Sequence, residues 1–172
     1  MTCRMLIAAG QLPAAQLLDD FKLMALNRNE KHERNRNNRN YIHDDGWGIV
    51  LGKSGNLKEL YKKDVPCWKD SRFLKYYNAK PDFLIVHARR ATDKKLVNLS
   101  FTHPFEREGW YFCHNGTVTE LQPKEKRDSE QFFAFLLSNI KKHSSVKEAI
   151  KSTVNQTKKY TALNFILANN TF

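Results

Sequence analysis

The chain has 172 residues, enough for one domain (1–172) with a sizeable core. Hydrophobic residues make up 41% and charged residues 27%, an ordinary globular balance, and no apolar run approaches the ~18 residues of a membrane helix. The net charge of +11 favours acidic partners: nucleic acid, anionic lipid or an acidic protein.

The first apolar stretch, Met5 to Ala9, is shorter than a signal-peptide core of about 7–15 residues. Arg4 to Ala9 reads instead as a central strand. After Pro13, the residues Leu17, Leu18, Phe21, Met24 and Ala25 fall at helical spacing, which predicts a helix from Ala14 to Leu26. Asn27 to Tyr41 concentrates four Arg, one Lys and six Asn. It lacks interleaved aromatics for base stacking, so it reads as a solvated insertion rather than a nucleic-acid surface. Gly46–Leu51 and Leu57–Tyr61 are expected to pair as strands around the turn Lys53-Ser54-Gly55-Asn56. Ser71–Tyr77 predicts a short helix, and Phe83–His87 a strand. Trp110–Cys113 is another strand, ending in the turn signal His114-Asn115-Gly116. Helices follow at Ser129–Ile140 and Ser145–Val154, then a closing strand at Leu163–Leu167. The order of elements predicts an α+β arrangement with helices layered on sheets.

Five clusters fall at loops or strand ends: Cys3; His43 to Ile49; His87 to Thr92; Thr102 to Phe105; and His114 to Gly116, followed by Asp128-Ser129-Glu130. An Asn side-chain amide next to a Gly backbone N–H offers two adjacent donors for an oxyanion. A guanidinium at Arg89 suits bidentate capture of a carboxylate, and a carboxylate at Asp128 suits an ammonium. A ligand bearing both charges is an α-amino acid. Each residue has a plainer reading. Asp128 or Ser129 is a natural helix N-cap, Arg89 an ion-pair partner, His103 a turn residue before proline, and Cys67 and Cys113 packing residues. The three cysteines lack metal-ligand spacing, and their odd number argues against a disulfide framework; a cytoplasmic location is expected, with no metal.

The strings HDDGWGI (43–49), VHARRAT (86–92), THPF (102–105), HNG (114–116) and DSEQFF (128–133) occur in this order. Together with Cys3 they resemble the class II glutamine amidotransferase domain of the N-terminal-nucleophile hydrolases, in particular its stand-alone branch, over nearly the whole chain. The resemblance implies a four-layer α-β-β-α sandwich and no cofactor. It implies hydrolysis of the side-chain amide of glutamine or a γ-glutamyl amide through a cysteine thioester. The substrate is a small molecule and an acceptor or synthase protein is a possible partner; no membrane partner is expected, and a basic nucleic-acid-binding protein, suggested by charge alone, is the third and least favoured reading. Carried over residue by residue, Cys3 is the nucleophile, Asn115 and the Gly116 N–H form the oxyanion hole, Arg89 holds the α-carboxylate and Asp128 the α-ammonium. Thr92 and His103 line the pocket, with His43 a weaker candidate. The alternative within the same fold is a catalytically silent domain that binds an amino acid or a protein.

Two departures accompany the resemblance. The family cysteine directly follows the initiator Met, whereas here Thr2 intervenes. Either a two-residue leader is removed, or the start carries an extra residue, or the site is impaired. The family domain also continues past the strand matching Leu163–Leu167, so a sheet truncated at its C-terminal end is expected.

Overall fold

The computed structural model describes residues 3–28, 42–121 and 128–171. Met1, Thr2 and most of the basic insertion, residues 29–41, lie outside the described residues. The chain divides into two compact units: residues 3–113 with 166–171, and residues 114–165.

The first unit is built on a four-stranded antiparallel sheet in the order β1-β4-β2-β3, with β1 Arg4–Ala9, β2 Trp47–Lys53, β3 Asn56–Lys63 and β4 Phe83–Ala88. The two central strands carry the most continuous apolar runs, IVL of β2 and FLIV of β4. They need partners on both faces, and Ile49, Val50, Leu84, Ile85 and Val86 are all fully buried. The β2–β3 hairpin closes through Ser54 and Gly55, both at positive φ (55° and 74°), the geometry that suits the right-handed twist of the strands.

One face of this sheet is covered by α1, Ala14–Ala25, whose buried residues Ala14, Leu18, Phe21 and Ala25 form a single stripe. Leu18, Phe21 and Ala25 pack with Trp47, Ile49, Leu84, Val86 and Phe73, the last carried by α2, Ser71–Lys75. The helix α1 ends by design of its sequence. Asn27 takes φ 56°, its N–H donates to the Met24 carbonyl and the Arg28 N–H to that of Leu23, a Schellman closure with Asn in the left-handed position. Asp70 organises the α2 side of the layer. Its carboxylate accepts from the Trp47 indole (3.1 Å), the Tyr61 hydroxyl (2.8 Å) and the Arg72 amide that opens α2 (3.0 Å). Burial pushes the Asp70 carboxyl up, but these donors outweigh it and hold the group below the ordinary carboxylate range.

The other face meets a second sheet, ordered β5-β6-β7, with β5 Phe105–Arg107, β6 Trp110–Asn115 and β7 Asn164–Ala168. Val50 and Ile85 of the first sheet pack with Cys113 of β6 and Ala168 of β7 in a dry cluster. The first unit therefore shows a helix layer and two sheet layers.

The second unit holds the end of β6, the start of β7 and two helices, α3 Asp128–Lys142 and α4 Val146–Gln156. Phe132 of α3 packs against Phe165 of β7 at 5.9 Å between centroids. The helices are tied at a buried polar joint: the Asn139 side-chain amide donates to the Thr153 hydroxyl (2.9 Å), which donates to the Ala149 carbonyl (2.8 Å). Ser145 caps α4 by accepting from the Glu148 N–H.

Two expectations from the sequence need correction. The strand Trp110–Cys113 does not stop at a His-Asn-Gly turn; β6 runs through Asn115 and only Gly116 bends. A further strand, β5, precedes it, pairing Phe105 with Phe112 and Arg107 with Trp110. Among the described residues no helix is long and apolar enough to cross a membrane.

Candidate active site

In the first unit the residues of interest gather where β4 leaves the sheet. Register pairs Arg4 with Ala88, so Cys3, the residue before β1, comes alongside the residues after β4. The Cys3 sulfur lies 4.0 Å from the Arg90 carbonyl oxygen. The thiol is half-buried, and this burial raises its pKa; the Arg89 and Arg4 charges pull the other way, and the Asp45 charge adds to the rise. Cys67 and Cys113 are fully buried, and burial pushes their thiols up, to about 12 for Cys67. Of the three thiols, Cys3 is the one that is not fully buried.

Arg89 is 9% exposed. Its Nη1 donates to the Leu96 carbonyl (3.1 Å), and the guanidinium lies 5.6 Å from the Phe101 ring centroid. A guanidinium has five N–H donors, and one spent on a carbonyl that fixes its plane still leaves a fork for a carboxylate. Thr92 is exposed on the loop just beyond.

The segment Thr102-His103-Pro104 lies against the start of β2, over Gly46 just before the strand and Gly48 within it. A Cβ on Gly48 would sit 2.2 Å from the His103 carbonyl oxygen, and one on Gly46 would sit 2.8 Å from the Thr102 hydroxyl. The Gly-Trp-Gly spelling thus exists to let another backbone lie directly on the strand. His103 is buried with its ring against His87 (4.5 Å) and Phe105 (4.3 Å), and the His103–Pro104 peptide is cis. His43 lies in the segment whose Ile42 carbonyl accepts from Arg90 and whose Asp45 amide donates to the Arg89 carbonyl. It is fully buried, with Nδ1 3.1 Å and its amide 2.9 Å from the Ala25 carbonyl at the end of α1. A carbonyl only accepts, so both nitrogens donate, and His43 serves as the latch of that helix.

The sequence reading placed Asp45 in the His43–Ile49 cluster but gave it no role of its own. It is buried, its amide donates to the Arg89 carbonyl (3.1 Å), and its carboxylate accepts from the Ala91 amide (2.7 Å) and from the Lys94 ammonium (2.5 Å). The signal available was the Asp directly before Gly-Trp-Gly, but the partners of its carboxylate lie 46 to 49 residues away.

In the second unit His114 meets the start of α3, and Asn115 and Gly116 follow it in the chain. The His114 ring is stacked on Phe132, with Nε2 3.1 Å from the Ala162 carbonyl and Nδ1 2.8 Å from the Ser129 hydroxyl. The carbonyl requires an N–H at Nε2, so in the neutral ring Nδ1 accepts from Ser129. Burial lowers the His114 pKa, which favours that neutral form. Gly116 has φ 155°, and a Cβ there would come within 1.9 Å of the Ala162 oxygen. Only glycine fits. Asn115 is half-buried at the strand end. Asp128 opens α3 and its Oδ2 accepts from the Val118 N–H (2.7 Å). The structure thus brings Cys3, Arg89 and Asp45 together in one unit, and Asn115, Gly116, His114 and Asp128 into another local cluster.

The family model of the class-II glutamine amidotransferases matches residues 30–171. The chain belongs to this family. A relative in Haemophilus influenzae, named "Putative glutamine amidotransferase", is 29% identical over 147 residues, covering 74% of this chain and 50% of the relative. YafJ of Escherichia coli, which bears the same name, is 30% identical over 112 residues, covering 57% of this chain and 43% of the relative. The chain therefore spans about half the length of the curated relatives it matches. Among solved structures, glutamine phosphoribosylpyrophosphate amidotransferase from Bacillus subtilis superposes with a TM-score of 0.63 at 18% identity, covering 99% of this chain and 35% of that one. At this identity the likeness is one of fold, a mixed arrangement of helices and sheets shared over nearly the whole of this chain.

Proposed function

We propose that this chain, acting as one amidotransferase-like domain, cleaves the side-chain amide of glutamine or of a γ-glutamyl amide. The carrying observation is the Cys3 thiol beside Arg89 at the end of β4, in a chain of the class II family. Cys3 attacks the γ-carboxamide carbon. The tetrahedral oxyanion is held by the Asn115 side-chain amide and the Gly116 N–H. Collapse expels ammonia or an amine and leaves a γ-glutamyl thioester, which water or an acceptor resolves. Arg89 takes the α-carboxylate, Asp128 the α-ammonium, and Thr92 and His103 shape the pocket. No cofactor enters, and ammonia passes to an acceptor or a synthase partner.

The raised thiol pKa makes the base decisive. An α-amine has a pKa of about 7.7–8.0 and can take the thiol proton near neutrality, whereas an amide nitrogen cannot. With Met1 and Thr2 attached, the Cys3 nitrogen is an amide. Activity therefore belongs to a form that begins at Cys3.

The test uses two preparations, one retaining Met1-Thr2 and one cleaved to expose Cys3. A chloroketone analogue of glutamine should label Cys3 in the second, with release of ammonia from glutamine. Labelling at Cys67 or Cys113, or undiminished ammonia release after Cys3→Ala, refutes the proposal. Absence of turnover in both preparations, with the fold intact, favours the silent-domain reading.

A further inference from the structure

We infer that Asp45 is a positioning residue for Cys3, acting through one peptide group: it grips the N–H of the Arg90–Ala91 amide, and the carbonyl of that same amide faces the Cys3 sulfur. The inference deepens the proposed function, since it gives the nucleophile a defined partner.

The geometry builds up from the ladder. β2 and β4 pair in register through Trp47 and Ala88. Backbone pairing continues one step past the strands: the Arg89 N–H donates to the Gly46 carbonyl (2.8 Å) and the Asp45 N–H to the Arg89 carbonyl (3.1 Å). There the chain turns away from the sheet. The Asp45 side chain takes over from the ladder by accepting the Ala91 N–H at 2.7 Å. The amide that supplies this N–H is the one whose oxygen, Arg90 O, lies 4.0 Å from the Cys3 sulfur. A peptide unit is planar, with N–H and C=O pointing to opposite sides. Fixing one end therefore aims the other. A carboxylate on the N–H also polarises the amide and makes its oxygen a better acceptor.

Asp45 can do this because its charge is compensated. Its second oxygen binds the Lys94 ammonium, which also reaches Asp44 at 2.9 Å. Asp45 is only 4% exposed, and an isolated carboxylate so buried would be costly. Lys94 belongs to the same loop as Ala91, so one side chain fastens the loop at two points.

The experiment compares two neutral substitutions of nearly the same shape in the full chain. Asp45→Asn keeps an acceptor for the Ala91 N–H, and Asp45→Leu does not. Alkylation by iodoacetamide is followed residue by residue by peptide mass, with Cys67 and Cys113 as internal reporters of an intact core. The Cys3 rate in the Leu variant should differ from wild type by about tenfold or more, the scale of losing one charge-assisted hydrogen bond. The Asn variant should stay within about threefold, and both buried cysteines should remain unreactive. Amide exchange at Ala91 should be slow in wild type and in Asn, and fast in Leu. Equal Cys3 rates in Asn and Leu, or fast Ala91 exchange in wild type, overturns the inference. Should Leu expose the buried cysteines, the Ala91 exchange of wild type and Asn decides alone. These readouts need no turnover. Failure of the chloroketone to label wild-type Cys3 would count against the amidase reading, whereas a failed Asn–Leu contrast counts against Asp45.

Discussion

Replacing Gly116 by alanine should be among the most damaging single-methyl changes in this protein. The new Cβ would stand 1.9 Å from the Ala162 oxygen, and real Cβ contacts are essentially never under 3.0 Å, so the two backbones must part by about 1.1 Å, the difference between these values. A φ of 155° is itself outside the range alanine adopts, at a cost of about 1–3 kcal/mol. Moving Ala162 also breaks the His114 Nε2 hydrogen bond, leaving a buried group unsatisfied for about 1–3 kcal/mol more. The expected loss is therefore about 2–6 kcal/mol. Gly109→Ala is the control: its φ is 76° and nothing lies within 4 Å of the added Cβ. The left-handed conformation alone should cost about 1–2 kcal/mol there. Urea unfolding of both variants under identical conditions measures the contrast. If Gly116→Ala loses no more stability than Gly109→Ala, the close approach of residues 116 and 162 is wrong, and with it the reason for glycine in the His-Asn-Gly motif.

Three other predictions concern chemistry and pH. In a preparation that begins at Cys3, Arg89→Lys keeps the charge but loses the planar fork; KM for glutamine should rise about tenfold or more, and unchanged kinetics would refute the carboxylate role. In the same preparation, Asn115→Ala should cut kcat by about 10²–10³ with little change in binding, because the donor acts on charge that develops in the transition state; a change confined to KM would contradict this. His114 has a folded-state pKa below its unfolded value, so the unfolded chain binds the extra proton: its contribution is complete above the unfolded pKa and is lost as pH falls through the folded pKa. His114→Gln should flatten that limb of the stability–pH curve, and an unaltered slope would show that His114 is not held neutral.

Much of this arrangement was legible in the sequence, for reasons that differ by element. β2 and β4 announce themselves because central strands are apolar on both faces. The α1 stripe shows because a helix buries one side in a fixed period. β5 carried no such mark: of its three residues Glu106 and Arg107 are exposed, and only pairing with β6 makes it a strand. His-Asn-Gly was read as a turn because the spelling is common in turns, yet His114 stays in the strand by bonding residues 15 and 48 positions away. The glycines of the 46–48 motif were visible, but the segment that needs their bareness lies more than fifty residues on. Asp45 lay in a cluster that was noticed, but its role stayed unassigned for the same reason. A sequence pattern states a residue's period and its neighbours, and a latch is defined by a partner it does not adjoin.

The three donors on Asp70 have a consequence for behaviour in acid. The helix α2 is five residues long, well short of the length at which an isolated helix is stable in water. Its existence depends on Phe73 in the core and on the carboxylate that opens it. That carboxyl titrates below its unfolded value, so its contribution is complete above the ordinary aspartate range and is lost as the pH drops through the folded value. The same oxygen that binds the Tyr61 hydroxyl also binds the Trp47 indole. Protonating the carboxyl therefore weakens, together, a helix start held at one oxygen and a polar anchor of a wholly buried tryptophan held at the other. With Trp68 and Trp110 replaced by phenylalanine, the emission of Trp47 would announce acidification and serve as an optical gauge of the α2 side of the helix layer.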